Sequence, residues 1–196
     1  MGTIKTTNIE TISGSGTLTI GTSGETIALG TGVTLGAGFG IVEADQWRLT
    51  TSFTGDVEPI ASNLERNDST GFAVLGTGMS ESSGIFTFPS TGYWIVRFIG
   101  VWYATNPDES RFCRASVQVT TNDSSYTTAG FGQTNVPIID AAFTYATSTT
   151  ETIVDVTDTA NVKVRFAIDV QDASISTSGN STRNETFMTF IRLAAT

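Results

Sequence analysis

Histidine is absent from these 196 residues, lysine occurs only at Lys5 and Lys163, cysteine only at Cys113, and proline only four times. Each shortage closes a class of chemistry. Without histidine there is no Ser-His-Asp relay, no imidazole metal ligand and no side chain that ordinarily titrates near neutrality. A single cysteine cannot close an internal disulfide, so nothing demands an oxidising compartment. With no histidine to activate it, Cys113 reads as a small buried hydrophobe. No run approaches the ~18 apolar residues of a membrane-spanning helix, and the polar first dozen residues are not expected to be a secretory leader. Positive charge is scarce: ten Lys and Arg face nineteen Asp and Glu, a formal net charge of −9. That balance disfavours phosphate backbones and anionic lipid surfaces, so neither nucleic acid nor a membrane is expected as a partner.

The remaining routes to chemistry are thin. The carboxylate pairs Asp108/Glu109 and Asp155/Asp158 fall in or beside loops, where acidic residues of an acidic chain are ordinarily solvated, so no catalytic residue is assigned. Oxygen-rich segments at 122–124 and 155–159 offer hard ligands, but their spacing matches no recognised calcium loop, so no metal is assigned. The glycines at 36–40 are followed by neither a lysine nor a helical pattern and form no phosphate cradle. No cofactor is expected.

What is abundant is threonine, at 35 residues, together with 12 Phe, 3 Trp and 4 Tyr. This composition favours strands over helices, and the class expected is all-β. The most informative stretch is 84–103. Pro89 and Gly92 mark a turn between two aromatic, β-branched strands, Pro by fixing φ and Gly by permitting positive φ. The second of these strands does not alternate between apolar and polar. One face carries Trp94, Val96, Phe98 and Trp102; the other carries Tyr93, Ile95, Ile99, Val101 and Tyr103, with Arg97 the clear polar exception. A strand apolar on both faces must be covered on both. One face can pack within a sandwich, and the other is expected to pack against another copy of the chain.

The chain divides by texture. In residues 17–40 three units of eight follow one another, each a short apolar-alternating strand and a Gly-rich turn. Such strands cannot bury a core alone, so they should stack with other chains or lie on a partner surface. A flexible linker shares this composition, but Leu18, Ile20, Ile27, Leu29, Val33 and Leu35 recur too regularly for one. From residue 46 longer strands begin. They are expected at 46–53, 72–75, 84–88, 92–103, 112–120, 137–145, 152–156, 161–170 and 185–193, with 54–69 a loop. Residues 161–170 alternate cleanly, with Val162, Val164, Phe166, Ile168 and Val170 opposite Lys163, Arg165, Ala167 and Asp169. Their polar face should meet water. Residues 185–193 are apolar on both sides, so the expected sandwich has one sheet facing copies of itself and one facing solvent.

The phrase Gly84-x-Phe86-Thr87-x-Pro89-x-x-Gly92-x-Trp94 resembles the Gly-x-Phe-Thr-x-Pro-x-x-Gly-x-Tyr signature of the C1q/TNF-like jelly-roll family, and an aromatic strand follows it as it does there. Residues 152–156 and 162–166 sit where that family has two late strands around an acidic turn, and the chain ends on an aromatic strand. The resemblance spans about 46–196. It implies a jelly roll of about ten strands forming a tight homotrimer. Because the strands that carry them are apolar on both faces, Tyr93, Ile95, Ile99, Val101, Tyr103, Phe187 and Ile191 are expected at the interface. The collagen-like stem usual in animal members is missing. Residues 3–12 and the Gly/Thr repeats are similar instead to leader segments of virion proteins of tailed bacteriophages.

Two regions are therefore expected: an N-terminal arm or short β-repeat stalk at 1–45 and a C1q/TNF-like head at 46–196. From the leader resemblance follows a virion structural protein on the outer surface of a phage particle. Its arm would attach to the major capsid protein or another virion protein through Ile4, Ile9, Ile12, Leu18, Ile20, Ile27, Leu29, Val33 and Leu35. A capsid decoration (cement) protein is the first reading, since only about forty residues precede the head and a projecting fibre needs a long shaft. The alternative is a short tail or head fibre whose tip binds a host surface glycan.

Overall fold

The computed structural model describes residues 40–104, 108–139 and 142–195. All nine anchoring residues named above lie outside them, as does the arm through residue 39; residues 40–45, placed with the arm, are described, and Ala44 and Asp45 belong to the first strand of the head. Among the described residues there are twelve strands and no helix: β1 Ala44–Leu49, β2 Thr51–Thr54, β3 Leu64–Arg66, β4 Ser80–Ser82, β5 Ile85–Thr87, β6 Gly92–Ala104, β7 Ser110–Thr120, β8 Thr127–Val136, β9 Thr144–Val156, β10 Lys163–Val170, β11 Ser176–Asn180 and β12 Phe187–Ala194. The all-β reading is correct.

The strands form two antiparallel sheets. In the seven-stranded sheet the order is β2-β11-β6-β12-β1-β3, with β9 on the free side of β6; in the five-stranded sheet it is β4-β5-β10-β7-β8. Strands adjacent in sequence are repeatedly placed in opposite sheets, so that β9 and β10, joined by one turn, lie in different layers. This is the jelly-roll sandwich.

The inner faces bury Trp94, Val96, Phe98 and Trp102 of β6 and Met188 and Phe190 of β12 against Val164, Phe166, Ile168 of β10 and Ala115 and Val117 of β7. Four phenylalanines weld the layers. Phe98 meets Phe166 at 5.0 Å between centroids, Phe86 meets Phe190 at 5.3 Å and Phe166 at 5.3 Å, and Phe166 meets Phe190 at 5.9 Å. Edge-on and tilted rings of this kind add about 0.5–1.5 kcal/mol per pair to the burial itself. Cys113 belongs to this core as a free thiol, and burial raises its pKa above the ordinary value, against a smaller lowering by Ser110. Gly92, entering β6, has φ of 138°, and a Cβ there would lie 2.3 Å from the Ala194 carbonyl oxygen. Only glycine lets β12 close over the turn.

Several strand expectations need correction. Residues 46–53 are two strands, β1 and β2, and the segment 54–69 contains β3. Leu75 makes an isolated bridge to Ala44 in place of a strand at 72–75. Of the strand expected at 137–145, residues 137–139 and 142–143 lie outside any strand, with Ile138 and Ile139 exposed, and Thr144 and Tyr145 open β9. The strand expected at 152–156 is the end of the thirteen-residue β9. Strands β4, β8 and β11 were not anticipated.

Candidate assembly surface

The outward face of the seven-stranded sheet is built around β6. Its register with β9 pairs Tyr103 with Tyr145, Val101 with Thr147, Ile99 with Thr149, Arg97 with Glu151, Ile95 with Ile153 and Tyr93 with Asp155. On its other side β12 sets Phe187 against Ile99, Thr189 against Arg97 and Ile191 against Ile95. Directly opposed residues in an antiparallel pair share a face. The seven residues expected at the interface are thus brought together on one surface, in rows across three strands. Tyr93 is exposed, while Ile95, Ile99, Val101, Tyr103, Phe187 and Ile191 are half-buried by their neighbours. The alternate residues of β6 are buried in the sandwich, as the two-faced pattern predicted.

Sequence reasoning missed the residues that make this surface prominent. Ile153 and Tyr145 on β9 are 63% and 62% exposed, and Phe143 just before β9 is 59% exposed. Tyr103, Phe143 and Tyr145 form an aromatic cluster at one end, with centroids 5.4, 5.6 and 6.3 Å apart. Their signal was the spacing Tyr145-x-Thr147-x-Thr149-x-Glu151-x-Ile153, which alternates but is diluted by threonine.

Across the middle runs one charged row. Arg97 donates from Nε to Glu151 Oε2 at 2.8 Å and approaches it through Nη2 at 2.6 Å. On the β1 side the apolar surface stops. Arg48, opposite Phe187, is fully buried beneath residues 65–69 and 181–184. It donates to Glu65 at 2.7 Å, Ser69 at 2.9 Å and the Ser181 carbonyl at 2.5 Å, and also reaches Asp68. Gln46 joins Thr189, Asn67 and Asn184 in a network of side-chain amides. Between this polar clasp and Ile191 lies a depression of about 320 Å³, lined by Ala44, Gln46, Gly71, Phe72, Ala73, Thr189 and Ile191.

The five-stranded sheet presents a different outward face. Lys163 pairs with Asp123, Arg165 with Glu58, and Arg114 with Asp169. A shallow groove of about 560 Å³ crosses it, yet Gln118 and Glu58 in its walls bond to each other and to Arg165, and Asp56 accepts from the Val170 amide. The acidic segments weighed as calcium loops also satisfy themselves. Asp158 accepts from the Ala160 amide and from Asn161, which together hold its pKa below the ordinary value. Asn122 is turned onto the amides of Ser124 and Ser125. Among the described residues no group of three acidic or cysteine side chains is placed to hold a metal.

A two-sheet jelly roll of this strand order is a class that others share. At the level of sequence no family model and no curated protein matches this chain. Solved structures do match it in fold. The structure of Eiger TNF from S. frugiperda superposes with a TM-score of 0.55 at 12% identity, covering 80% of this chain and 95% of that one. The crystal structure of murine APRIL at pH 5.0 superposes with a TM-score of 0.53 at 11% identity, covering 77% of this chain and 98% of that one. At this identity the likeness is one of fold: the described head is a TNF-like jelly roll.

Proposed function

We propose that this chain is a non-enzymatic structural protein that works as a homotrimer joined through the outward face of the seven-stranded sheet. The observation that carries the reading is the apolar surface of β6, β9 and β12, with three side chains near 60% exposed. Apolar surface of this extent marks an interaction site. The occupant is another copy, because the surface is complementary to itself in a head-to-tail sense. Its β9 edge projects Ile153 and Tyr145, while its β1 edge offers the depression beside Ile191. A projection on one edge and a hollow on the other make a heterologous contact, which gives a ring where the rotation between copies closes. Three is the number implied by the C1q/TNF-like resemblance.

For the wider role we propose virion decoration: the trimeric head covers the outside of a phage capsid and the Gly/Thr repeats hold it to the shell. The support is the leader resemblance and the repeat pattern of residues 17–40, whose short strands have backbone groups to pair with a partner. A fibre tip that binds a host glycan is the second reading. Quantitative mass spectrometry of purified particles separates them. Decoration predicts abundance approaching that of the major capsid protein, a fibre predicts tens of chains at most, and absence from particles overturns both.

A further inference from the structure

Resting on the assembly just proposed, we infer that Arg97 and Glu151 form an ionic layer shared between neighbouring copies, and that this layer sets the register in which the copies meet. The pair stands alone in its surroundings. On the β6 side of one flank lie Ile99, Thr149 and Phe187; on the other lie Ile95, Ile153 and Ile191. Within the chain the pair is half satisfied. Arg97 engages Glu151 through Nε and Nη2 on the same oxygen, Oε2. That leaves Nη1 and the second carboxylate oxygen, Oε1, without a contact among the described residues. In the third position of the row Thr189 already accepts from Gln46.

An exposed pair tolerates this, since water fills the remaining sites. Here Arg97 is 48% and Glu151 41% exposed. Covering the face with a second copy removes that water, and a buried charge with unmet donors or acceptors is strongly unfavourable. The covering copy carries the complementary groups at the same height: an unused acceptor for each unused guanidinium edge. Sliding one copy by a single side-chain repeat, two residues or about 6.6–6.8 Å, sets Arg97 and Glu151 against isoleucine rows instead. Every slipped register therefore buries unpaired charge, and one register does not. The paired opposite charges of the middle row disfavour a partner of uniform sign there, with Asp155 lying apart at the Tyr93 end, so a copy of the chain, which carries both signs at the same height, is the fitting occupant. A purely apolar stripe has no such preference. The row costs some affinity and supplies specificity, as isolated polar positions do in coiled coils.

The test uses full-length chains carrying R97E or E151R, alone and mixed, with native mass spectrometry for oligomeric state and circular dichroism to verify the strand signal. Each single variant places like charges together and is expected to lose trimer by at least tenfold in the concentration needed for assembly. In a ring of three, a mixture sets opposite charges at two of the three contacts, so mixing the two should restore mixed trimers in part, above either variant alone. Restoration by the double charge reversal within one chain, with no gain on mixing, overturns the sharing. Single variants that assemble like wild type overturn the whole inference, while a trimeric wild type keeps the assembly reading intact. A monomeric wild type overturns that reading itself. Should both charge variants fail to fold, R97M/E151L decides: the ionic layer predicts assembly into several coexisting sizes, and a single sharp trimer contradicts it.

Discussion

The two outward faces of this sandwich are made by strands of opposite chemistry. On the five-stranded sheet β10 turns Lys163, Arg165 and Asp169 outward, and each charge is neutralised locally by Asp123, Glu58 or Arg114. On the seven-stranded sheet β6 turns Tyr93, Ile95, Ile99, Val101 and Tyr103 outward around the lone Arg97. Both faces rest on the shared aromatic core. In the proposed assembly the difference lies in what each face is for: one is finished by water and the other by a copy. A polar face can be changed with little consequence, whereas a change on the apolar face is read by the assembly.

The sharpest way to break this comparison is a charge on each face. Ile99→Asp places a carboxylate in the middle apolar row, where it meets Phe187 and Thr149. Burying that group without a partner costs more than the roughly 1.5–3 kcal/mol lost with the isoleucine, so the variant is expected to be monomeric by light scattering at micromolar concentration. Thr128→Asp, exposed on β8 beside the groove of the other sheet, should leave the oligomer unchanged. Equal behaviour of the two variants erases the distinction between the faces.

A second change probes the seam at which the sheets meet. Gly132 of β8 lies so close to β9 that a Cβ would stand 2.4 Å from the Thr149 carbonyl oxygen. Gly132→Ala forces the two edges apart and is expected to lower stability by about 1–3 kcal/mol in denaturant titration. Because Thr149 faces outward in the apolar row, trimer affinity should fall with it. A variant as stable as wild type shows that the seam yields freely.

The smallest expected effect tests the turn that carries the chain from one sheet to the other. The hydrogen bonds that Asp158 accepts from Ala160 and Asn161 hold its pKa below the ordinary value of about 4. A carboxylate whose folded pKa is depressed contributes stability above its unfolded pKa and loses it as pH falls through the folded one. Asp158→Ala should thus melt below wild type at neutral pH, and the gap should close as pH drops below about 4. Thermal melts across that range check it, and a gap that does not depend on pH contradicts the assignment.

How much of this was legible in the residues depended on who supplies the constraint. The two-faced β6 and β12 and the alternating β10 were readable because apolar side chains must be covered, and period-two patterns state where. Strand β8 was not. Its Gly130 and Gly132 carry no strand signal, and what places them there is the closeness of β9, a contact made from the other sheet. Strand β11 hid for the same reason, since a Cβ at Gly179 would lie 2.5 Å from the Thr51 backbone. Residues 137–145 misled in the other direction: Pro137, Ile138, Ile139 and Phe143 have strand composition, yet their apolar side chains are held outward on a connection. The buried Arg48 gave no signal at all, because its partners Glu65, Asn67, Asp68 and Ser69 fall in a stretch that reads as loop. On the assembly surface the β6 and β12 residues were legible and the β9 residues were not, threonine having masked their alternation.

In the proposed assembly the outward face of the seven-stranded sheet is an interface between copies of this chain. Sedimentation velocity on the full-length wild-type protein across nanomolar to micromolar concentration, at neutral pH, tests it most directly. The account predicts a single species of three times the 20.7 kDa chain mass, with no monomer at micromolar concentration. A folded monomer of 20.7 kDa over that whole range contradicts it.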